Sequence, residues 1–99
     1  MIKQSKAKDN KVKVTFVIPH NEDQAQISVA GDFNDWNTED TKLIKRNNGT
    51  RSASVTLDAG KQYAFRYYIA DGQWFNDDAA DAYAVGDHGA ENCIIDLTK

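Results

Sequence analysis

Apolar and polar positions alternate with a period of two along most of this 99-residue chain, and no long stretch keeps the period of a helix. Such alternation is typical of strands that bury one face and expose the other. The pattern predicts strands over residues 11–16, 27–30, 43–46, 53–57, 63–69 and 93–97. Short strands separated by turns at near-regular spacing favour an antiparallel β-sandwich.

One pair of these strands is joined by a short turn. Residues 47–50 read Asn-Asn-Gly-Thr, and Asn-Gly between two alternating runs is the strongest short-range signal for a hairpin. The strand over residues 63–69 is the richest in aromatic side chains. Its predicted core face carries Tyr63, Phe65, Tyr67 and Ile69, and its outward face carries Ala64, Arg66 and Tyr68.

Two tryptophans each close a corner that is rich in turn residues. Trp36 ends the Gly-Asp-Phe-Asn-Asp-Trp segment of residues 31–36, and Trp74 ends the Asp-Gly-Gln-Trp segment of residues 71–74. Each corner follows an alternating strand, so we expect each indole at the rim of the β-structure rather than at its centre. Flat apolar rings edged by amides and carboxylates suit a sugar, whose C–H faces stack on the rings while its hydroxyls bond the polar groups.

The chain length limits the classes of function. Ninety-nine residues predict one domain with a two-layer core, whereas a barrel-type glycosidase needs roughly 250 residues. Residues 1–6 lack an apolar signal core, and no apolar run approaches the roughly 20 residues of a membrane span. We therefore expect a cytoplasmic protein without membrane contact.

The formal net charge of −3 hides an uneven distribution. Residues 1–13 carry five lysines and one aspartate, a net charge of +4, so the remaining residues sum to −7. We expect residues 1–11 to form a flexible basic N-terminal arm and residues 12–99 to form the sandwich domain. A basic arm can contact nucleic acid, but the acidic body repels the same phosphates, so we predict no nucleic-acid partner.

The residues that could support catalysis or metal binding are scattered. Cys93 is the sole cysteine, which excludes an internal disulfide, and a small buried apolar residue fits its position. His20 and His88 are too isolated to predict a metal site. Glycoside hydrolysis and calcium binding both need clustered carboxylates, and one region does carry Asp71, Asp77, Asp78 and Asp81. Most of these are better explained as turn residues, so we predict no catalytic activity, no cofactor and no metal.

The two corners, the Asn-Gly hairpin, the strand before Trp74 and the Asn-Cys-Ile-Ile of residues 92–95 follow one another in a familiar order. In this order and spacing the chain resembles carbohydrate-binding module family 48, also called the isoamylase early-set domain, over residues 12–97. Members precede the catalytic barrel of glycogen-branching and debranching enzymes, and a related member is the glycogen-binding domain of the β subunit of AMP-activated protein kinase. The resemblance implies an immunoglobulin-like, early-set β-sandwich that binds α-1,4-glucan such as glycogen or starch.

The resemblance also implies which residues contact the sugar. In the glycogen-binding members, tryptophans at the positions of Trp36 and Trp74 stack on glucose rings. A basic residue at the position of Arg66 and an asparagine at the position of Asn92 bond hydroxyls. His88 stands where the kinase-type domain places an apolar residue against the sugar.

Besides His88, two departures from the family pattern affect this transfer. Ala70 is an extra residue before the second corner, which can change how Trp74 is aimed, and Cys93 stands where the kinase-type domain has a second asparagine.

Each predicted contact also has a purely structural reading. Trp74 can form a lid over the end of the sandwich, and Trp36 can cover the core beneath its corner. Arg66 can be a solvated strand charge, and Asn92 can cap a strand end. The predicted function is therefore non-catalytic α-glucan binding. The alternative is an interaction module that has lost sugar binding and docks on a glucan-processing enzyme or on a second copy of itself.

Overall fold

The computed structural model describes residues 2–19, 25–77, 79–86, 89 and 91–98. Within these residues the strands are β1 (Ile2–Lys6), β2 (Lys11–Pro19), β3 (Ile27–Gly31), β4 (Thr41–Lys42), β5 (Ile44–Lys45), β6 (Thr50–Asp58), β7 (Gln62–Ile69), β8 (Gln73–Phe75), β9 (Ala82–Val85) and β10 (Glu91–Asp96). One 3-10 turn, Asp32–Asn34, follows β3. The described part of the chain contains no helix long and apolar enough to cross a membrane.

The strands form two antiparallel sheets. One sheet has the order β1-β2-β6-β5, and the other has the order β4-β3-β7-β10-β9, with β8 paired to β7 as its sixth strand. The buried side chains of both sheets form one core. The prediction of an all-β antiparallel sandwich is confirmed.

Aromatic rings join the two layers at the centre of the core. Phe16 of β2 contacts Phe65 and Tyr67 of β7, with ring centroids 5.0 and 6.3 Å apart. The alternation along β7 follows the prediction: Phe65, Tyr67 and Ile69 are buried, and the side chains between them face outward. Tyr63 is only partly buried and its hydroxyl donates to the carbonyl of Asp58.

The strand β1 lies in the segment that the sequence analysis assigned to a flexible arm. It pairs with β2 from Ile2 opposite Phe16 to Lys6 opposite Val12. The turn between them places Asp9 and Asn10 at φ of 62° and 60°, the left-handed region that tight hairpins use. Of the side chains in β1 only Ile2 is partly buried, so backbone pairing rather than an apolar stripe defines this strand, and alternation does not reveal it.

Two further segments differ from the sequence prediction. The predicted strand 43–46 is reduced to β5 (Ile44–Lys45), because Leu43 is buried where the chain passes from β4 in one sheet to β5 in the other. The predicted loop from Phe75 to Glu91 contains β9, whose four side chains are all exposed. A strand without a buried face carries no alternating signal. The hairpin predicted at residues 47–50 is present, and it joins β5 to β6.

Candidate functional site

The outward side of the six-stranded sheet carries most of the residues that the sequence analysis selected. Ala64, Arg66 and Tyr68 alternate outward along β7, and Trp74 of β8 stands opposite Tyr68. Cys93 is paired with Phe65 and faces the core, so Asn92, one residue earlier on β10, lies in the outward row beside Arg66. This side of the sheet, together with the corner that ends in Trp36, is called the outer face below.

The first corner holds Trp36 at one end of the outer face. Asp35 and Trp36 have φ of 55° and 59°, a left-handed conformation that is uncommon for residues other than glycine. The Trp36 backbone N–H donates to the Gly31 carbonyl at 2.9 Å, and its indole Nε1–H donates to Oδ1 of Asp32 at 3.1 Å. The other carboxylate oxygen of Asp32 accepts from the N–H of Ala64 at 2.9 Å. The Asp32 side chain therefore ties the half-buried indole to β7.

A groove with a volume of about 420 Å³ lies beside Trp36. Its walls include Trp36, Asp32, Ala64, Val85, Asn92 and Ile94. Asn92 is 7% exposed, and its buried Oδ1 has no hydrogen-bond partner within the described residues. An unpaired buried acceptor costs about 1–3 kcal/mol.

Trp74 forms an aromatic platform with Tyr68 at the other end of the outer face. It is 39% exposed, and its ring centroid lies 4.8 Å from that of Tyr68 at an interplanar angle of 57°. The guanidinium carbon of Arg66 lies 5.7 Å from the Trp74 ring centroid, a cation–π distance. Trp74 is therefore an exposed ring beside a cation. The pairing of β8 with β7 fixes its backbone.

The extra residue Ala70 lies in the β7–β8 turn and is accommodated by backbone bonds. Its N–H donates to the Gln26 carbonyl at 2.9 Å, and the N–H of Gly72 donates to the Ile69 carbonyl at 2.9 Å. Gly72 adopts φ 101°, a conformation that suits glycine. With this turn the β7–β8 register still places Trp74 opposite Tyr68.

The two tryptophans belong to one face rather than to opposite ends of the molecule. The Trp36 groove reaches Ala64, and Trp74 packs on Tyr68, four residues further along β7. A rise of about 3.3 Å per residue separates these two positions by roughly 13 Å. Arg66 lies midway between them, with Asn92 beside it on β10.

A buried carboxylate anchors the segment that follows β8. Asp77 is 4% exposed and accepts from the Tyr67 hydroxyl at 2.6 Å and from the Ala79 N–H at 2.8 Å. Burial raises the pKa of Asp77, whereas these hydrogen bonds lower it, and the net result is a pKa below the ordinary 3.8. Asp77 faces the core side of β7, so it supports the outer face from beneath.

The thiol of Cys93 packs against the same anchor. Cys93 is fully buried, and its Sγ accepts from the Asp77 N–H at 3.2 Å. Burial raises the pKa of this thiol to about 11, so the thiol is protonated at neutral pH and is a poor nucleophile. The position matches the small buried residue that the sequence analysis expected.

The remaining histidines and aspartates that the sequence analysis considered are not part of the outer face as the structure describes it. His88, His20 and Asp78 lie outside the described residues. Asp71 accepts from the Gln73 N–H, and Asp81 accepts from the Asp96 N–H, so both serve backbone groups in exposed positions. Among the described residues, no group of three or more His, Cys, Asp or Glu side chains could hold a metal ion.

Three residues of the outer face were not selected as site residues from the sequence. Tyr68 supports Trp74, Asp32 fixes Trp36, and Asn76 donates to the Glu91 carbonyl and accepts from Arg66. Alternation predicts that Tyr68 faces outward, and Asp32 lies in the first corner. The sequence does not show which side chains either residue contacts. Asn76 follows β8 in a segment where no periodic signal is present.

Comparison with known families gives one match. Residues 14–99 match the family described as the glycogen recognition site of AMP-activated protein kinase. The match covers nearly the whole chain, including both corners and β10. No curated protein matches the chain significantly.

Proposed function

Because the chain belongs to the family described as the glycogen recognition site of AMP-activated protein kinase, we propose that it binds α-1,4-linked glucan on its outer face. Trp36 and Trp74 stack on glucose rings, and Arg66 and Asn92 bond hydroxyl groups between them. His88 is the remaining proposed contact, from the resemblance alone. Modules of this family are non-catalytic, so the proposed role is binding.

One observation carries this proposal: both indoles lie on one side of one sheet, with a cation and an amide between them. The residues of β7 beside which they lie, Ala64 and Tyr68, are roughly 13 Å apart, which is within the span of a short oligosaccharide. Each ring offers an apolar surface for the C–H face of a sugar. A helical or curved glucan chain can reach both rings at once.

The polar groups of the outer face match hydroxyl chemistry. Asn92 lines the groove beside Trp36, and a side-chain amide offers both a donor and an acceptor to a sugar hydroxyl. Arg66 offers N–H donors in a planar fork that suits two neighbouring hydroxyls. Because the outer face is shallow and much of the ligand stays hydrated, we expect a Kd on the order of micromolar to millimolar.

Tryptophan fluorescence titration tests this function. The wild-type chain is titrated with maltoheptaose, β-cyclodextrin and cellohexaose, and the proposal expects saturable binding of the two α-glucans with no response to the β-linked one. Retention of the chain on glycogen tests the polymer directly. Absence of α-glucan binding, together with a stable dimer that buries Trp36 or Trp74, would contradict the proposal and favour the interaction module.

The first site prediction concerns Trp74. Trp74→Ala removes the most exposed ring of the outer face and should raise the maltoheptaose Kd at least about tenfold, because a stacked aromatic anchor typically contributes most of the binding energy. The matched control is Ile44→Ala, which removes another exposed apolar side chain (57% exposed) from the opposite sheet. The control should bind with the wild-type Kd, and equal Kd values for both variants would exclude Trp74 from the site.

A further inference from the structure

One edge of β7 has a break in its strand pairing at Arg66. On this edge β10 pairs with Gln62–Phe65 and β8 pairs with Tyr67–Ile69, while β3 covers the other edge. Arg66 therefore lies between the end of one partner strand and the start of the other. Side chains near the break are not fixed by a continuous ladder.

The side chain of Asn76 spans this break. Its Oδ1 accepts from Nε–H of Arg66 at 3.1 Å, and its Nδ2 donates to the backbone carbonyl of Glu91 at 2.9 Å. The donor and acceptor demands fix the orientation of the amide, since a carbonyl can only accept and a guanidinium can only donate. Asn76 thus joins the segment after β8 to Arg66 of β7 and to the first residue of β10.

Asn76 is itself held from both sides. Phe75 pairs with Tyr67, and the two rings pack with centroids 5.0 Å apart. Asp77 is fixed by the buried bonds to Tyr67 and Cys93. With both neighbours anchored in the core, the backbone of Asn76 is held in place beside Arg66.

The bond to Asn76 leaves the rest of the Arg66 guanidinium available. Only Nε–H has a hydrogen-bond partner within the described residues, so the four N–H groups on the two terminal nitrogens are free to bind a ligand. The same bond limits rotation of the planar fork beside the Trp74 ring. An arginine without this bond would sample many rotamers, and binding would have to restrict them.

We propose that Asn76 is a positioning residue that holds the Arg66 fork beside Trp74, ready for the hydroxyls of the glucan. This inference rests on the proposed function of the outer face. Asn76 acts through Arg66 and makes no sugar contact of its own. Its loss should therefore weaken binding only while Arg66 is present.

A double-mutant cycle tests this dependence. The maltoheptaose Kd is measured by tryptophan fluorescence for the wild type, Asn76→Ala, Arg66→Ala and the double variant. Asn76→Ala should raise the Kd about fivefold in the wild-type background and less than about twofold in the Arg66→Ala background, because coupled residues are non-additive. Asn76→Asp keeps the acceptor for Arg66 but loses the donor to the Glu91 carbonyl, so its Kd should lie between those of the wild type and Asn76→Ala.

Thermal unfolding and nitrogen-15 NMR distinguish a loss of positioning from a loss of folding. Asn47→Ala is the matched control variant for both, because Asn47 lies in the β5–β6 turn of the opposite sheet. Thermal unfolding of each variant shows whether the core is intact. In nitrogen-15 NMR of the free protein, the Arg66 Nε–H signal should exchange slowly with water in the wild type and rapidly in Asn76→Ala.

The outcomes distinguish this inference from the proposed function. If the wild type binds and Asn76→Ala weakens binding equally in both backgrounds, or in neither, Asn76 does not act through Arg66 and the inference is wrong. If the wild type binds no α-glucan although its Arg66 Nε–H signal is protected, the local geometry stands but the proposed function fails, and the inference fails with it.

Discussion

The surroundings of Asp77 differ from those that its sequence context predicts. It lies in an aspartate-rich polar segment and accepts from the N–H two residues later, as a turn aspartate does. The fold also buries it against Tyr67 and Cys93. A carboxylate that is satisfied by several donors at low exposure contributes to stability through its ionised form.

The second prediction concerns this carboxylate. Asp77→Asn should lower the free energy of unfolding by about 1–3 kcal/mol at neutral pH, because an amide group then faces donors that need an acceptor. Urea unfolding of both proteins measures this difference. Asp40→Asn, at an exposed position, is the matched control and should leave the stability unchanged.

The stability difference between wild type and Asp77→Asn should also depend on pH, in a direction that the pKa of Asp77 sets. The folded-state pKa of Asp77 is below 3.8, so its stabilisation is complete well above 3.8 and is lost as the pH falls through the folded-state pKa. The stability difference between wild type and Asp77→Asn should therefore shrink in acid. A difference that stays constant down to this range would show that the carboxylate charge is not the cause.

At the scale of elements, the first corner depends on a few side-chain bonds. Asn34 accepts from the Gly31 N–H at 3.0 Å and donates to the Val29 carbonyl at 2.9 Å and to the Thr41 hydroxyl at 3.1 Å. A Cβ at Gly31 would lie 2.5 Å from the Ala64 carbonyl oxygen, so glycine is required for the corner to approach β7. Together these residues set the position from which Trp36 is presented.

The third prediction concerns this corner. Asn34→Ala removes three hydrogen bonds and should lower the free energy of unfolding by about 2 kcal/mol, since each bond contributes about 0.5–1.5 kcal/mol and some are replaced by water. Because Trp36 is carried by the same corner, the maltoheptaose Kd should also rise. Urea unfolding and fluorescence titration measure the two effects. Asn47→Ala serves again as the control, and wild-type values for Asn34→Ala would show that the corner is held by its backbone alone.

The elements also show where sequence patterns are informative. The strands β2, β6 and β7 have a buried face, and their alternation predicted them. The strands β1 and β9 bury almost no side chains, so the physical cause of the pattern is absent and neither was predicted.

At the scale of the whole molecule, the dependence of binding on charge distinguishes an α-glucan from a polyanionic ligand such as nucleic acid. The chain has a formal net charge of −3, and an α-glucan carries no charge. Binding by stacking and hydroxyl contacts releases no condensed counterions, whereas binding to nucleic acid does. The ionic strength of the solution should therefore have little influence on glucan affinity.

The fourth prediction follows from this difference. Between about 0.05 M and 0.5 M sodium chloride the maltoheptaose Kd should change less than about twofold, because screening acts only on charge–charge interactions. The measurement is the same fluorescence titration at several salt concentrations. A single-stranded oligonucleotide titrated in parallel is the control and should give no saturable signal. A Kd that rises steeply with salt would indicate an anionic ligand instead.

The amino-acid sequence by itself determined the class of fold and the outward side of β7 on which Arg66 lies. The reason is that alternation and turn residues act over a few positions, so they are encoded locally. The family pattern added Asn92 and His88 as candidate contacts.

The tertiary structure decided how these residues are supported. Asp32 forms hydrogen bonds with Trp36 and Ala64. Asn76 forms hydrogen bonds with Arg66 and Glu91. Asp77 forms hydrogen bonds with Tyr67 and Cys93. All but the first of these contacts join residues at least ten positions apart. They depend on which strands become neighbours and on where the pairing of β7 is interrupted, and neither property is contained in the alternation of any one strand.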